Sequence, residues 1–424
     1  MISVPFEKHL LDNGLEVIVH RDNSLPVAAV NVWYHVGSKN EKPSRTGFAH
    51  LFEHVMFEGS KHHNRSYFEP LQKIGAKLNG STNQDRTNYW ENVPSNYLEL
   101  ALWLEADRMG FLLDALDQKR FDVQRDVVKN ERRQSYENRP YGMAYLTLQP
   151  EVFPLPHPYN WPTIGSQQDL DSAALDDIKD FFRTYYSPSN ASIAIAGDID
   201  PDQTLSWVQR YFGDLPASPR VRKMEPMDSG LSETKVMTIE DDVHLERRYW
   251  VWPTAAAFDE REQVLDVLAT ILGDGKGSRL HRRLVHEAEL ARDVAAVSYC
   301  QEICGEFLIQ VTTALGQDSR RVAEAVREEI AAIKSVPPGE EEIERAKNLI
   351  RTHFVSSLER VGGFGGRADQ LNYFNVLAGD PGLISTHYER YEDVSAEDVS
   401  AVANSLLGDH RVELTVIPSE GTGT

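Results

Sequence analysis

The sequence is poor in cysteine, in positive charge relative to negative charge, and in long apolar runs. Two cysteines, Cys300 and Cys304, occur among 424 residues, which argues against a disulfide scaffold or a cysteine-based zinc site. The 44 Lys and Arg against 65 Asp and Glu give a formal net charge of -21, so the chain lacks the basic surplus that nucleic acid or an anionic membrane surface requires. No stretch approaches the ~20 apolar residues of a membrane span. We therefore expect no nucleic-acid partner, no membrane partner, and two thiols that are free and at least half-buried.

The first residues, MISVPFEKHLLDNGLEVIVH, lack the basic region followed by an apolar region that marks a secretory signal. Cytoplasmic residence follows most simply from this. A mature periplasmic form whose signal had been removed would have the same sequence features, so both locations stay open.

Two segments share one pattern, in which a helix is followed by a short loop and an apolar strand. The first begins at Ser172 with SAALDDIKDFFRTYY, and the second begins at Ser395 with SAEDVSAVANSLL. Ile178 and Val399 have equivalent places in them, 221 residues apart. Two aromatic, β-branched stretches, AAVNVWYHVGS from Ala28 and ERRYWVWPTAA, have a similar offset. The chain therefore reads as two related halves.

These patterns predict an α+β fold with two homologous domains, each a mostly antiparallel sheet covered by helices. Residues 217–230 have the Pro, Gly and charge content that is typical of a linker, and we predict that they join the two domains. The domains are then 1–216 and 231–424. Within the first domain we predict strands to about residue 37, helices over 46–57 and 67–74, a hairpin from Lys77, and long helices over 97–113 and 118–138.

The stretch TGFAHLFEHVMFEGS places His50, Glu53 and His54 inside an apolar, helix-like run. Positions i and i+4 share one face of a helix, so the two imidazoles can face one ion, with Glu53 beside them. Two neutral imidazoles suit Zn²⁺, and a carboxylate that is not itself a ligand can take a proton from a bound water. The pattern H-x-x-E-H is that of the inverted zinc-protease motif. From the residues alone, local hydrogen bonding on a solvated face remains the alternative.

A helix rich in charge, FDVQRDVVKNERRQSYEN, offers candidates for a third ligand. Most of its charges are expected to face solvent, and nothing in its periodicity selects one of them.

The chain resembles the pitrilysin-type zinc metallopeptidases, the family of insulin-degrading enzyme and the mitochondrial processing peptidase. The resemblance rests on four stretches: GFAHLFEHVMFEGS, AKLNGSTNQDRTNYWENVP, VVKNERRQSYEN and GDGKGSRLHRRLVHEAELARDV. In that family the third ligand is a Glu 77 residues after the second His, which here is Glu131. The resemblance implies that His50, His54 and Glu131 bind zinc and that Glu53 is the catalytic base. It also implies two halves that face each other as a clamshell around a chamber.

The hairpin resembles the family's edge strand, which pairs with an extended peptide substrate. An open strand edge offers unpaired N–H and C=O groups for such pairing. The resemblance makes Asn79, Gly80, Ser81 and Thr82 the substrate-binding residues. Ordinary turn chemistry is the alternative interpretation of Asn79-Gly80 and of 83–85, which are both turn-forming sequences.

The chain departs from the family pattern in three places. Gln124 stands where another Glu is frequent. The Arg and Tyr that help hold substrate and the oxyanion in single-chain members are replaced by Val285 and Arg292, although a register slip would offer Arg283 instead. The second half has no H-x-x-E-H pattern, and its corresponding helix, EQVLDVLATILGDG, is apolar.

From these departures we predict that the chain is the zinc-bearing subunit of a heterodimer whose homologous partner supplies the Arg and Tyr. The substrate is then a peptide, which the enzyme cuts as an endopeptidase. Two alternatives stay open: a self-sufficient homodimeric peptidase, and a non-catalytic structural subunit like the respiratory-complex core proteins that resemble this family. The glycine-rich RVGGFGGRAD, residues 360–369, lacks the Lys-Ser/Thr of a phosphate-binding loop, and we interpret it as a break between two helices.

Overall fold

The computed structural model describes residues 3–419 and has the predicted α+β composition. Within this range the chain forms eleven strands: β1 (Glu7–Leu10), β2 (Glu16–Arg21), β3 (Val27–Tyr34), β4 (Lys77–Thr82), β5 (Thr87–Pro94), β6 (Ala191–Gly197), β7 (Lys235–Asp241), β8 (Arg247–Thr254), β9 (Ala291–Cys300), β10 (Gly305–Thr313) and β11 (Val412–Pro418). Cys300 is half-buried and Cys304 is buried, and both thiols are free, as expected.

Fifteen α-helices lie in the same range: α1 (Phe48–Val55), α2 (Phe68–Lys73), α3 (Leu98–Phe111), α4 (Gln118–Arg132), α5 (Gly142–Val152), α6 (Gln167–Ser172), α7 (Leu175–Tyr185), α8 (Pro201–Phe212), α9 (Glu262–Gly273), α10 (Ser319–Ser335), α11 (Glu340–Leu358), α12 (Arg367–Tyr373), α13 (Leu383–Thr386), α14 (Glu389–Glu392) and α15 (Ala396–Leu406). The helix predicted over 118–138 changes to a π-helical turn at Arg133–Glu137. The glycine-rich segment does separate two helices, α11 and α12.

The two sheets repeat one strand order. The first runs β1-β2-β6-β3-β5-β4, and the second runs β7-β11-β8-β10-β9. Apart from the extra β1, the orders correspond strand for strand. Each sheet is antiparallel except for one parallel pair, β2 with β6 and β7 with β11. The strands β6 and β11 follow α7 and α15, the helices of the repeat seen in the sequence. The prediction of two related α+β halves is confirmed.

The chain forms two compact units, neither of which is continuous in sequence. Within the described residues the first comprises 3–131, 162–223 and 354–387, and the second comprises 132–161, 224–353 and 388–419. The predicted linker 217–230 spans one of these junctions. The segments 132–161 and 354–387, however, belong to the unit built mainly from the other half. The contiguous domains 1–216 and 231–424 therefore remain a prediction about the duplicated halves, and they do not describe the compact units.

Helix α1 is fixed by an apolar stripe that is buried in the first unit. Its side chains Phe48, Leu51, Phe52 and Val55 are almost completely buried. The ring of Phe52 stacks on Phe182 of α7 with ring centroids 5.2 Å apart. Burying each such side chain, rather than leaving it exposed to water, stabilises the folded state by about 1.5–3 kcal/mol. This stripe determines the rotation of α1 and leaves the three polar positions of the helix on its other, half-buried side.

In the part of the chain that the structure describes, no helix combines the length and the apolar character needed to cross a membrane.

Candidate metal centre

Helix α1 brings the two imidazoles of His50 and His54 together. Their ring centroids are 4.9 Å apart and their planes are nearly perpendicular, at 82°. Both side chains are half-buried, on the face opposite the apolar stripe. The i, i+4 spacing thus has the consequence expected from the sequence, since one turn of helix separates the two rings.

Glu131, near the end of α4, reaches the same point from a second helix. Its Oε2 atom lies 3.2 Å from Nε2 of His54 and 3.7 Å from Nε2 of His50. One ligand atom from each residue lies within 4.8 Å of the others, and among the described residues this is the one group of three or more His, Cys, Asp or Glu side chains that meets this test. The sequence spacing that the family suggested therefore corresponds to direct proximity.

The three atoms have the spacing of a zinc ligand set. Zinc bonds to imidazole nitrogen and carboxylate oxygen are about 2.0–2.2 Å long, so two ligands of one tetrahedral ion are about 3.4 Å apart. The two nitrogen–oxygen separations, 3.2 and 3.7 Å, bracket that value. Neutral imidazole with carboxylate is also a donor set that zinc accepts readily. The residues present therefore fit the ion that the motif implies.

The protonation tendencies of this group favour metal binding. Burial and the adjacent His54 lower the pKa of His50 to about 4, although Glu131 acts to raise it. The pKa of Glu131 is also lowered, chiefly by its hydrogen bond with His54. At neutral pH His50 is therefore neutral and Glu131 is ionised. These are the forms that coordinate a metal ion.

Glu53 lies beside the group without belonging to it. Its Oε2 accepts a hydrogen bond from Oγ1 of Thr82, at 2.6 Å. Burial raises the pKa of Glu53, and the Thr82 hydrogen bond opposes this change in part. Oε1 lies next to Gly80, where an added Cβ would come within 3.2 Å of it. One carboxylate oxygen is thus held by strand β4, and the other faces the strand's glycine.

Two residues that the sequence analysis missed hold the start of α1. The carboxylate of Glu41 accepts backbone hydrogen bonds from Gly47, at 2.9 Å, and from Ala49, at 2.8 Å. Burial raises the pKa of Glu41 to about 8. Gly47 has a positive φ of 88°, and a Cβ there would lie 3.0 Å from the carbonyl oxygen of Ile164. Gly47 has no side chain with which to cap the helix. In the sequence, this glycine before α1 was the feature that could have indicated a cap from a residue outside the helix.

The four predicted substrate-binding residues all lie in β4, the edge strand of the first sheet. Asn79 is exposed, and its Oδ1 accepts a hydrogen bond from the N–H of Gly80. Asn79-Gly80 is thus strand, and the interpretation of this pair as a turn is wrong. The turn of the hairpin is formed instead around Asn83, whose side chain accepts hydrogen bonds from the N–H groups of Asp85 and Arg86.

The hairpin turn is docked onto the segment that leads to α1. The backbone N–H of Lys39 donates to the carbonyl of Gln84 at 3.0 Å, and its ammonium group forms a buried ion pair with Asp85 at 3.1 Å. At Gly37 an added Cβ would lie 2.3 Å from the carbonyl oxygen of Asn83. Segment 37–41 therefore fixes both the hairpin and, through Glu41, the helix that carries the histidines.

The residues at the departures from the family pattern have other contacts. Gln124 donates a hydrogen bond to Glu58. In the second unit, Arg283 pairs with Glu328 and Glu329 of α10, the latter at 2.9 Å. These two carboxylates engage the one arginine that a register slip would offer. Val285 lies in a π-helical turn and Arg292 in β9.

Comparison with known proteins identifies the family. The family model described as "Insulinase (Peptidase family M16)" matches residues 16–146, and the one described as "Peptidase M16 inactive domain" matches residues 172–350. A Helicobacter pylori protein named "Zinc protease PqqE" is 32% identical over 417 residues, which cover 95% of this chain and 90% of that protein. This chain belongs to peptidase family M16. The resemblance to pitrilysin-type peptidases drawn from the motifs is thereby confirmed.

Two further similar proteins match almost the whole of this chain. The crystal structure of a protease from Helicobacter pylori matches with a TM-score of 0.90 and 26% identity, covering 98% of this chain and all of that one. An Arabidopsis thaliana protein named "Probable mitochondrial-processing peptidase subunit beta" is 25% identical and covers 96% of this chain and 77% of that protein. The fold described above is thus the fold of this family.

Proposed function

We propose that this M16 protein is a zinc-dependent endopeptidase in which His50, His54 and Glu131 hold the metal and Glu53 is the general base. The observation that carries the proposal is the convergence of two Nε2 atoms on one Glu131 oxygen, beside a second carboxylate, that of the half-buried Glu53. The relatives' printed names, which include zinc proteases, support the same activity.

Zinc bound at this group would acidify a water molecule and polarise the carbonyl of the bond to be cut. The protein's own task is to position and deprotonate that water. Glu53 suits the task because its Oε2 is held by Thr82, which leaves Oε1 to take the proton. The pKa of Glu53 is raised by burial, so the carboxyl group can also hold that proton and pass it to the leaving amine.

We place the substrate along β4. As the edge strand of the first sheet, β4 pairs on one side with β5, and an extended peptide would add to its other side. Asn79, Gly80, Ser81 and Thr82 would then run beside the scissile bond. Gly80 is the position where a side chain would crowd Glu53, so a glycine keeps this approach open.

We further propose that the active form is a heterodimer with a homologous subunit. Val285 and Arg292 replace the Arg and Tyr of single-chain members, and Arg283 is paired with two carboxylates. A partner that supplies both groups would complete the oxyanion site, where the loss of one donor costs about 10²–10³ in rate. The Arabidopsis relative is itself named as one subunit, and the second family model is named for an inactive domain, which agrees with a division of labour.

Metal content and a single substitution test the enzyme assignment. We expect close to one zinc per chain, and we expect Glu53→Gln to keep that zinc while losing about 10²–10⁴-fold in hydrolysis of a peptide of roughly 10–20 residues. Less than about 0.2 zinc per chain, with none taken up on titration, would instead indicate a non-catalytic structural subunit. Undiminished hydrolysis by Glu53→Gln would remove Glu53 as the base.

The partner is tested by adding it. The purified chain should be slow alone and should accelerate when mixed with a homologous chain that retains the Arg and Tyr. A full rate alone, unchanged by the second chain, would contradict the division of labour and favour a self-sufficient peptidase.

A further inference from the structure

The carboxylate of Asp369, in the C-terminal part of the chain, is hydrogen-bonded to the sheet that contains the proposed substrate strand. Asp369, in the first turn of α12, accepts hydrogen bonds at Oδ1 from Nε1 of Trp33 at 2.8 Å and from Nδ2 of Asn31 at 3.2 Å. The same oxygen accepts from Nδ2 of Asn88 at 2.9 Å, and Oδ2 accepts from the backbone N–H of Gly365 at 2.8 Å. Four donors, three of them from β3 and β5, therefore meet on one side chain.

The network continues from β5 to the edge strand. Asn88 lies opposite Ser81 in the β4–β5 register, and its Oδ1 accepts the Ser81 hydroxyl at 2.7 Å. Arg86 donates to the carbonyl oxygen of Ser81 at 2.8 Å and to its Oγ at 2.6 Å, while its guanidinium lies 5.2 Å from the Trp33 ring centre. Carboxylate, amide and hydroxyl thus form one chain of hydrogen bonds from α12 to β4.

Successive residues of a strand point to opposite faces of the sheet. Ser81 faces the Asp369 network, whereas Thr82, the next residue, bonds Glu53 on the other face. Strand β4 is therefore held from both faces at adjacent residues. Thr82 keeps its own bond to Glu53 when the Ser81 bond is lost, so the Ser81 bond chiefly fixes the backbone along which the peptide is proposed to pair.

We propose that Asp369 is a positioning residue for the substrate strand β4, acting through Asn88 and Ser81; this inference rests on the proposed function. A carboxylate suits the role because it only accepts hydrogen bonds and can serve four donors at once. An amide at the same place would turn its own N–H₂ toward at least one of those donors. Hydrogen bonds to a charged group are also roughly twice as strong as neutral ones.

The test uses the full chain, with its partner subunit where activity requires it. We expect Asp369→Asn to raise KM for a roughly 10–20-residue peptide about tenfold while kcat stays within about threefold, because pairing along β4 is weakened and the zinc group is untouched. Zinc content and thermal midpoint should stay near those of the wild type. Glu359→Gln, the same change on an exposed acid of α11's C-terminal flank, is the control and should leave KM unchanged.

Two further variants make the pathway specific. Asn88→Ala removes the middle member of this series of hydrogen bonds and should raise KM as Asp369→Asn does. It also tests the proposal if Asp369→Asn does not fold. Ser81→Ala combined with Asp369→Asn should cost less than the two single effects multiplied, because both act on one connection. Unchanged KM in Asp369→Asn and in Asn88→Ala, or a loss confined to kcat and zinc content, would overturn the proposal.

Failure of the proposed function would be visible separately. If the wild-type protein bound no zinc and cut no peptide, the peptidase assignment would fall. Hydrogen exchange of the β4 amides would then decide the positioning role alone: faster exchange in Asp369→Asn than in Glu359→Gln, with equal thermal midpoints, would support it, and equal exchange would overturn it.

Discussion

The hydroxyl of Thr82 donates a hydrogen bond to the carboxylate of Glu53, with Oγ1 and Oε2 2.6 Å apart. This contact joins the proposed substrate strand to the proposed base. Strand β4 would therefore fix the position of a paired peptide relative to Glu53, the proton acceptor. It leaves Oε1 of Glu53, which lies next to Gly80, as the oxygen that takes the proton in the proposed mechanism. The orientation of the base therefore depends on a hydroxyl in the neighbouring strand.

Removing that hydroxyl should slow hydrolysis. We expect Thr82→Val to lower kcat roughly 10- to 100-fold, because a hydrogen bond to an ionised group contributes about 1.5–3 kcal/mol and Glu53 would lose its fixed orientation. Zinc content should not change. Thr82→Ser keeps the hydroxyl and is the matched control, with a rate near that of the wild type. A wild-type rate for Thr82→Val in steady-state peptide assays would show that Thr82 does not orient the base.

The start of α1 should not tolerate a side chain at Gly47. Both Gly47 and Gly75 have positive φ, at 88° and 77°, but an added Cβ meets neighbouring backbone at Gly47 and nothing within 4 Å at Gly75. We expect Gly75→Ala to cost about 1 kcal/mol of unfolding free energy, from backbone conformation alone. Gly47→Ala should cost clearly more and should weaken zinc binding, since α1 must move. Equal losses for the two variants in urea unfolding would show that the collision has no effect.

Loss of the third ligand should reduce zinc affinity. Glu131→Gln keeps the size of the side chain but removes the negative charge, and we expect the dissociation constant for zinc to rise at least about 100-fold. Stabilisation by zinc, seen as the rise of the thermal midpoint with added metal, should diminish in parallel. Asp126→Asn, an exposed acid on the same helix, is the control. If both variants bound zinc like the wild type in competition titrations, Glu131 would not be a ligand.

Glu41 should make stability depend on pH. Its pKa is raised from 4.5 to about 8 in the folded protein, chiefly by burial, so the folded state binds the proton more tightly. The stability gained from that proton is full below about pH 4.5 and is lost as the pH rises through about 8. We expect this residue to lower the free energy of unfolding by up to about 1.4 kcal/mol per pH unit within that window.

The measurement compares wild type with Glu41→Gln, both with chelator present, by urea unfolding at several pH values. The variant should lack the part of the slope that Glu41 contributes. Glu359→Gln should retain it. Parallel curves for wild type and Glu41→Gln would mean that Glu41 is ionised in the folded protein throughout this range.

The sequence predicted what local patterns control. His50 and His54 are neighbours because helix geometry alone brings i and i+4 together, and the hydrophobic stripe of α1 predicts the helix. The repeated helix-strand pattern predicted two sheets, and the matching strand orders follow from that duplication. Glu131 required the family's spacing, because α4 has no periodic signal that singles it out.

Other features depend on contacts between distant parts of the chain. Glu41 caps α1 from outside the helix, and Asp369 bonds residues more than 280 positions away. Neither residue differs in its local sequence from an ordinary exposed acid. Asn79-Gly80 has a strong turn signal, but pairing with β5 overrides it, since the strand gains a full ladder of hydrogen bonds there.

The membership of 354–387 in the first unit has a consequence for synthesis on the ribosome. Residues 3–223 are complete long before α12, the helix that carries Asp369, is made, because about 140 residues lie between them. At 5–20 residues per second this interval is roughly 7–28 s, during which the face of the sheet that carries Trp33 is not yet covered by α12. The first unit therefore reaches its final structure only when translation is nearly finished.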